Sequence, residues 1–380
     1  MDRTKTLSVK YQNQKVGTLA LYQKRFVVFE YTKEWILNGF SISPYSLPLE
    51  KKVFIPKWDP FEGLFGVFSD SLPDGWGRLL VDRMLLANQI LPQELSQLER
   101  LAIVGGAGMG ALTYEPEQKF QIGMTEFTDL DRLACECEKI LKNKESENLD
   151  ELFLLGGSSG GARPKIMKKI NEEDWIIKFE SSHDLADAGI MEYEYSLCAK
   201  ECGIDMEETQ LFGSVLNKGY FGTRRFDRQK IMGEIPHRLH MVSVSAMLET
   251  SHRIPNLDYM ILFRLVLDLT KDYSEVIRLY RLMCFNVFAH NRDDHSKNFS
   301  FLYYEDSKSW KLSPAYDLTY SNSLGGEHAT CINGNGKNPG MKELVEVGKN
   351  FGIREGEARN IATEIYEIVT MRLGNYIGRR

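Results

Sequence analysis

The stretch His290-Asn291-Arg292-Asp293-Asp294-His295-Ser296-Lys297-Asn298, which is followed by the apolar run 299–302, decides the fold. Five steps separate Asp293 from Asn298. This is the interval of a kinase catalytic loop, in which the Asp handles the substrate hydroxyl and the Asn holds a metal ion. An apolar helix pattern over 274–289 leads directly into the stretch. So many charges beside a buried helix need partners or a ligand, which favours a phosphoryl-transfer site over a polar turn.

A second carboxylate belongs to the same layout. Asp317 stands at the end of a short strand pattern, in 313–318, nineteen residues after Asn298. Together with the Asp-x4-Asn interval, this is the layout of a phosphoryl-transfer site. Asp294 lies four residues from Asn298, not five, so we assign it to a supporting or surface position.

A glycine-rich stretch upstream is the candidate phosphate loop. It reads Leu154-Leu155-Gly156-Gly157-Ser158-Ser159-Gly160-Gly161-Ala162-Arg163-Pro164-Lys165. Glycine tolerates unusual φ angles and offers unobstructed N–H groups, so the backbone can approach a phosphate closely. The stretch lacks the Gly-Lys-Ser/Thr ending of a Walker P-loop.

The stretch after the loop predicts a hairpin and a helix. The strands lie near 166–167 and 175–180, with a turn at 171–174, and Lys178 stands inside the second strand. That lysine either pairs with phosphate and carboxylate or faces water from an edge strand. A helix over 188–202, stopped by Gly203, carries Glu192. A glycine loop, a strand Lys, a helix Glu, an Asp-x4-Asn loop and a later Asp follow the order of a two-lobed kinase.

Length and composition indicate an ordinary globular chain of two or three domains. The 380 residues are 43% hydrophobic and 26% charged, and the net charge is −6. That charge argues against a protein that coats nucleic acid by itself, although basic clusters near 165–169 and 224–228 are available for phosphates. No apolar run approaches ~18 residues and no signal segment opens the chain, so we expect a cytoplasmic protein. The six cysteines lack paired spacing, so neither a zinc site nor a disulfide framework is indicated.

The first third of the chain predicts a small mixed module. Alternating residues over 5–31 predict an antiparallel meander, and a proline-rich passage over 44–60 predicts extended or turning chain. A helix opens at Asp74, and a second follows Pro92 to about residue 104. The glycines of 105–110 predict a tight helix-to-strand turn, since a dinucleotide fingerprint needs a strand before it and a helix after it. A boundary near 116–125, a helix near 128–142 and a charged linker over 142–148 follow.

Taken together, these motifs resemble the HipA family of bacterial toxin–antitoxin serine/threonine kinases. The resemblance covers nearly the full length. It rests on Leu72-Pro73-Asp74-Gly75-Trp76-Gly77-Arg78, the loop segment 160–165, Ile177-Lys178, Thr223-Arg224-Arg225-Phe226-Asp227-Arg228, Asp293-Asp294-His295-Ser296-Lys297-Asn298-Phe299 and Tyr316-Asp317.

The resemblance implies an α/β (α+β) chain with a two-lobed protein-kinase-like fold. Its C-lobe would be mostly helical, and a β-rich subdomain would precede the kinase lobes. The expected division is 1–115 for the N-terminal HipA-type subdomain, 116–235 for the kinase N-lobe with the glycine-rich loop, and 236–380 for the helical C-lobe with the catalytic loop.

The resemblance also implies roles for residues. Asp293 would be the catalytic base, Asn298 and Asp317 would hold Mg²⁺, and Lys178 would contact the ATP phosphates. Glu192 would support that site, and Ser158 falls on a loop serine whose autophosphorylation ejects the loop in the family. The other residues expected to bind the nucleotide are Gly157, Ser159, Gly160, Gly161, Ala162, Lys165, Arg225, Phe226, His295 and Tyr316, with the backbone near 225–226 facing the adenine.

Partners follow from the same resemblance. The family pairs with a small helix-turn-helix antitoxin, HipB-like, that binds DNA, so DNA would be contacted only through that partner. The better-known protein substrates of the family are aminoacyl-tRNA synthetases. No membrane contact is expected.

Departures from the family leave alternatives open. Arg163-Pro164 stands where members often carry Gln-Glu, no Asp-Phe-Gly is present, and His290 lies three residues before Asp293. The Asp-x-His-x-x-Asn order also resembles phosphoinositide kinases, which keeps a lipid or small-molecule kinase open. A metal-dependent hydrolase would use His290, Asp293, Asp294 and His295, and a pseudokinase co-repressor would only bind nucleotide and a DNA-binding partner.

Overall fold

The chain divides into two compact units. The computed structural model describes residues 4–120, 129–181, 187–229, 237–322 and 324–378. Unit 1 comprises Met1–Ala186 and Phe212–Thr250, and unit 2 comprises Asp187–Leu211 and Ser251–Arg380. Both units contain helices and strands, so the predicted α+β class is confirmed. The predicted boundary at residue 235 lies outside the described residues, and the three-part division stays a prediction.

Unit 1 holds most of the described strands and most of the short helices. Its strands are β1 Thr6–Tyr11, β2 Gln14–Tyr22, β3 Phe26–Tyr31, β4 Leu112–Glu115, β5 Lys165–Ile170, β6 Glu173–Lys178, β8 Tyr220–Arg224, β9 Arg228–Gln229, β10 His237–Arg238 and β11 His240–Ser243. Its helices are α1 Lys33–Asn38, α2 Gly66–Ser69, α3 Gly75–Ala87, α4 Gln97–Val104, α5 Leu130–Leu141, α6 Leu149–Gly156 and α8 Val244–Met247, with a 3₁₀ turn at Pro92–Glu94.

The N-terminal sheet is the predicted meander. Its strand order is β3-β2-β1-β4. Alternate residues of β1 are buried, among them Leu7 and Val9, which is the period-two pattern of a strand with one face on the core. The passage 44–60 contains no helix, as its prolines predict.

The predicted turn at 105–110 is confirmed. Helix α4 ends at Val104 and β4 begins at Leu112, so no strand precedes the glycines and no helix follows them. Arg238 donates hydrogen bonds to the carbonyl oxygens of Gly106 and Gly108, at 2.8 and 3.1 Å. A turn whose carbonyls are held by arginine is structural, and the dinucleotide interpretation does not apply.

The candidate phosphate loop leads directly into β5, the first strand of a second sheet in unit 1. Strands β5 and β6 form a hairpin, and β6 pairs with β8. The hairpin turns at Asn171 and Glu172, which both have positive φ. Behind the sheet, a core cluster joins α3, α5 and α6 to the strands, with Trp76, Leu152 and Ile177 buried at its centre.

Helix α6 was not predicted. Sequence analysis treated the glycine-rich stretch as irregular from Leu154, whereas the chain is helical to Gly156. The helix is short and depends on burying Leu152 in the core formed with α3, and tertiary packing of this kind decides most short helices.

Unit 2 is mostly helical. Its helices are α7 Ala188–Glu201, α9 Tyr259–Thr270, α10 Tyr273–Phe288, α11 Met341–Asn350 and α12 Glu355–Ile377, with a 3₁₀ turn at Leu324–Gly326. Its strands are β12 Leu257–Asp258, β13 Ser300–Tyr304, β14 Ser309–Leu312 and β15 Thr330–Cys331. Strand β7 Thr209–Phe212 contains the division between the units, since Phe212 belongs to unit 1.

Helix α10 positions the candidate catalytic loop. It matches the predicted helix, packs against α9 and α12, and ends directly before the loop. Buried Glu275 accepts hydrogen bonds from Arg278, at 2.8 Å, and from the backbone N–H of Leu312, at 2.8 Å. These hydrogen bonds hold β14 and the segment after it against α10. Asp317 lies beyond the end of β14, so its predicted place at a strand end is corrected.

Among the described residues, no helix combines the length and apolar character that a membrane span requires.

Candidate functional site

The stretch 290–298 forms a loop held by its own backbone. The Nδ2 atom of Asn298 donates to the carbonyl oxygen of Asp293 at 2.7 Å. The backbone N–H of Asn298 donates to the carbonyl oxygen of His295 at 2.8 Å. The predicted five-residue interval therefore closes a compact loop, in which the side chain at its end is bonded to the backbone at its start.

Asp293 presents its carboxylate outward. Its side chain is 61% exposed, and one carboxylate oxygen lies 4.0 Å from His295 Nε2. The N–H of Lys297 donates to His295 Nδ1 at 3.2 Å, so the ring proton sits on Nε2, toward Asp293. The ring of His252 lies 5.4 Å from that of His295, and sequence analysis had not singled it out.

Asp294 points the other way, into the core. Its side chain is fully buried, which excludes the surface alternative given for it. It accepts hydrogen bonds from the N–H of Thr330, at 3.1 Å, and the hydroxyl of Tyr259, at 3.2 Å, and lies 3.0 Å from His328 Nδ1. Neighbouring carboxylates thus have opposite surroundings, and only Asp293 is accessible to a substrate.

Tyr316 fixes the segment that carries Asp317 beside the loop. Its hydroxyl donates to the carbonyl oxygen of Lys297 at 2.6 Å and lies 2.6 Å from the Ser300 hydroxyl. Asp317 follows with φ at +58°, a left-handed conformation that a non-glycine residue rarely adopts outside turns and functional sites.

The donor set at this place fits a magnesium ion. The Nδ2 atom of Asn298 donates a hydrogen bond to the carbonyl oxygen of Asp293, so Oδ1 is the side-chain atom that could bind a cation. A carboxylate at Asp317 would add the second oxygen, and Mg²⁺ prefers a few such oxygens with water completing its shell.

The same geometry does not favour the hydrolase alternative. It needs Asp294 as a metal ligand, but that carboxylate is committed to Thr330, Tyr259 and His328. Within 4–120, 129–181, 187–229, 237–322 and 324–378, no group of three or more His, Cys, Asp or Glu is arranged to hold a metal.

The glycine-rich loop of unit 1 follows helix α6 and leads into β5. Ser159 is buried, and its hydroxyl donates to the carbonyl oxygen of Gly156 at 2.6 Å, while Ser158 beside it is half-buried. Gly160, Gly161 and Ala162 are exposed. The turn's internal hydrogen bond therefore falls on Ser159 and not on the predicted modification site.

Two lysines stand opposite each other at the base of this loop. Lys165 and Lys178 are register partners across β5 and β6, so their side chains share one face of the hairpin. A side chain at Gly161, whose φ is +84°, would begin 2.6 Å from Lys165 Nζ, which puts that ammonium against the loop. The pair places two positive charges on the face of the hairpin next to the loop.

The arginine cluster is not available for phosphates, contrary to the sequence expectation. The guanidinium of Arg225 donates twice to Asp227, at 2.9 and 2.8 Å, and Arg228 donates to the same carboxylate at 2.7 Å. Arg224 pairs with Glu173. Burial alone would raise the pKa of Asp227, but the two guanidinium groups hold it well below its usual range. The roles expected of the backbone at 225–226 stay predictions.

Removing the charge of Asp227 is expected to destabilise unit 1 strongly. Asp227→Asn leaves Arg225, whose side chain is 6% exposed, and Arg228 without their anion, at a cost of about 3–5 kcal/mol. Because the folded-state pKa of Asp227 is lowered, its contribution is present above about pH 4 and is lost as the pH falls further. Urea unfolding at pH 7 and pH 3.5 measures both effects.

The matched control for this change is Glu173→Gln, which removes the partly exposed partner of Arg224 and should cost under about 1 kcal/mol. Equal losses in the two variants would contradict the assignment of a buried cluster.

Glu192 is the predicted supporting residue. It is buried on α7 in unit 2. Sequence analysis missed that Asp74 and Trp76 contact the glycine-rich loop. Residues 72–78 form one of the motifs of the sequence. Their contact with the glycine-rich loop joins positions far apart in sequence, so no local pattern predicts it.

Comparison with known proteins gives two family matches that follow each other along the chain. The HipA N-terminal domain matches residues 7–115, and the HipA-like C-terminal domain matches residues 157–373. No curated protein matches the chain in sequence.

The chain also matches solved structures, among them a toxin–antitoxin complex and a kinase. One is a structure of the Shewanella oneidensis MR-1 toxin–antitoxin system with HipA, HipB and operator DNA. The matched chain is 18% identical to this chain with a TM-score of 0.71, and the match covers 98% of this chain and 90% of that one. The Helicobacter pylori proinflammatory kinase CtkA is 13% identical with a TM-score of 0.36, over 55% of this chain and 90% of that one.

Proposed function

The chain belongs to the HipA family, and on that basis we propose that it is an ATP-dependent serine/threonine-protein kinase of a bacterial toxin–antitoxin system. The observation that carries the proposal is the loop 293–298. Its Asn side chain is bonded to the backbone of Asp293, and Tyr316 ties the segment of Asp317 to the same loop. This arrangement supports one exposed carboxylate for a hydroxyl and two oxygen ligands for a cation.

In the proposed reaction, the γ-phosphorus of ATP forms a bond to the hydroxyl oxygen of a Ser or Thr. Its bond to the β,γ-bridging oxygen breaks, and ADP leaves. Asp293 orients the hydroxyl and accepts its proton. Bound Mg²⁺, held by Asn298 and Asp317, would supply neutralisation of the phosphate charge.

Within unit 1, the groups that could bind phosphate lie on and beside the glycine-rich loop. Gly160 and Gly161 are exposed on the loop, and Lys165 and Lys178 form the cross-strand pair at its base. The exposed backbone and the two like charges support binding of a polyphosphate.

The experiment that tests the activity follows label from γ-³²P-ATP. The purified chain is incubated with Mg²⁺ and a cell extract, which is then separated into protein, lipid and small-molecule fractions. Label on Ser or Thr of a protein supports the proposal. Label confined to lipid or small molecules would support the other kinase classes instead, and no transfer in any fraction would point to a pseudokinase co-repressor.

We further propose a HipB-like helix-turn-helix partner, held by residues 1–115, through which the protein reaches DNA. The fold similarity to HipA in a complex with HipB and operator DNA supports this, and so does the acidic net charge of −6.

The chain alone is expected to bind duplex DNA poorly at physiological salt, because phosphate contacts by Lys and Arg dominate nonspecific affinity. A mobility-shift titration over 50–200 mM salt, run with and without a coexpressed partner, measures this. Tight and salt-sensitive binding by the chain alone would contradict the expectation.

Ser158 is the proposed autophosphorylation site. A phosphate there adds about two negative charges to a loop that must receive ATP phosphates, so ATP affinity should fall and the loop should leave its position. Mass spectrometry after incubation with ATP should find one phosphate on residues 157–163 of the wild type and none on Asp293→Asn. An unmodified loop in a chain that phosphorylates a protein substrate would show that this switch is absent.

A further inference from the structure

The start of helix α3 lies directly against the glycine-rich loop. Asp74 is the N-cap residue of α3, yet its side chain caps no N–H of that helix. Instead, Asp74 Oδ1 accepts a hydrogen bond from the backbone N–H of Gly161. An N-cap Asp ordinarily satisfies the helix's own free donors, so this carboxylate has been diverted to the loop.

The carbonyl group of Gly161 is also bound by the start of α3. The backbone N–H of Trp76, a donor that the first turn of a helix leaves free, donates to the carbonyl oxygen of Gly161 at 2.9 Å. The indole Nε1 of Trp76 donates to the carbonyl oxygen of Lys165 at 3.1 Å. The turn at the start of α3 therefore contacts the loop at Gly161 and the first residue of β5, Lys165.

Two glycines in the turn make this approach possible. A Cβ atom on Gly75 would overlap the carbonyl group of Gly161, and a Cβ atom on Gly77 would overlap the carbonyl oxygen of Ser159. Backbone lies on both sides of these contacts, so a larger residue would have to push the loop away. The sequence motif at 72–78 thus has a structural reason that a helix start alone does not give.

We propose that Asp74 is a positioning residue through which the N-terminal HipA domain sets the place of the glycine-rich loop. The inference rests on the proposed function in one respect, since it assumes that this loop receives the ATP phosphates. Asp74 lies within residues 7–115 and the loop within residues 157–373, so the contact joins the regions of the two family matches. It gives the N-terminal domain a direct effect on nucleotide affinity.

Whether removal of the Asp74 carboxylate weakens or tightens ATP binding distinguishes a positioning role from competition with phosphate. A carboxylate that merely occupied the Gly161 N–H would compete with phosphate, and its removal would tighten ATP binding. A carboxylate that positions the loop, together with the Trp76 bonds and the glycine contacts, holds Gly160 and Lys165 where phosphate needs them. The several contacts that α3 makes with the backbone of residues 159–165 favour positioning.

The test compares Asp74→Ala, Asp74→Asn and Gly77→Ala with the wild type. Amide hydrogen exchange of residues 157–163 is measured without nucleotide, and KM for ATP and kcat are measured with Mg²⁺. Asp74→Ala should exchange these amides about tenfold faster and raise KM for ATP about tenfold, with a much smaller change in kcat. Asp74→Asn keeps an oxygen acceptor and should recover most of the wild-type behaviour, while Gly77→Ala should displace the loop by overlap alone.

The matched control is Asp82→Ala, which removes a carboxylate from the same helix that pairs with Arg100 at 3.1 Å and not with the loop. Exchange within α3 is the second control. If Asp74 were only a helix cap, Asp74→Ala would speed exchange in α3 and leave the loop unchanged, which would overturn the proposal. Tighter ATP binding by Asp74→Ala would overturn it as well.

Failure of the proposed function gives a different result. If the wild type binds no ATP, the exchange measurement alone decides. Faster loop exchange in Asp74→Ala with unchanged exchange in α3 supports the positioning contact, and unchanged loop exchange overturns it. Should Asp74→Ala unfold, Asp74→Asn and Gly77→Ala give the same comparison.

Discussion

Replacing Asp293 by Asn is expected to lower phosphoryl transfer by about 10²–10⁴-fold, the usual contribution of a positioned general base. The side chain is 61% exposed, so Asn fits without repacking and only the charge and the proton acceptor are lost. The backbone oxygen of Asp293 that receives the Asn298 bond is unchanged, so ATP binding should be largely retained. Single-turnover transfer and calorimetry of ATP binding measure the two quantities separately.

Asp294→Asn is the control for this change, because it alters the neighbouring carboxylate in the same way. Its buried side chain accepts from Thr330 and Tyr259, and an amide nitrogen would leave one of these donors unsatisfied. We expect a loss of stability of about 1–3 kcal/mol and a much milder loss of transfer below the unfolding transition. A folded Asp294→Asn that transferred phosphate more slowly than Asp293→Asn would show that the base has been misassigned.

Removing either proposed metal ligand should weaken binding of ATP in the presence of Mg²⁺. Asn298→Ala deletes the Oδ1 oxygen together with the Nδ2 bond to the backbone of Asp293. Asp317→Ala deletes a carboxylate on the segment that Tyr316 fixes to the loop. We expect a loss of at least about 10–100-fold, because changes even to outer partners of a metal site typically cost that much. Calorimetry of ATP with Mg²⁺ measures it.

Two comparisons make this experiment specific to the metal. In EDTA, both variants and the wild type should bind ATP alike. Asp306→Ala removes an exposed carboxylate from the turn between β13 and β14 and should leave the Mg²⁺ dependence unchanged. Equal affinities of wild type, Asn298→Ala and Asp317→Ala with Mg²⁺ would contradict a kinase-type metal site.

Local patterns predicted the regular elements well. The apolar repeat before the catalytic loop gave α10 to within a residue at each end, and Gly203 marked the end of α7. The period-two residues of 5–31 gave the meander. In these elements local propensity and the buried face agree, so the sequence contains the information directly.

The features that the sequence did not predict depend on contacts between residues far apart in the chain. Helix α6 was missed because its stability comes from α3, and the partner of Asp74 lies in the glycine-rich loop. The cluster at 224–228 was misjudged for a related reason. A run of arginines suggests phosphate binding, but Asp227 within it turns inward and the burial of Arg225 and Arg228 follows from that single carboxylate.

A crystal structure with Mg²⁺ and a non-hydrolysable ATP analogue would show whether the loop 293–298 and Asp317 form the metal and phosphoryl-transfer site. We expect Mg²⁺ at about 2.0–2.1 Å from Asn298 Oδ1 and from an Asp317 carboxylate oxygen, with the Asp293 carboxylate facing the γ-phosphate. A metal and nucleotide bound with neither Asn298 nor Asp317 as a ligand would contradict this expectation.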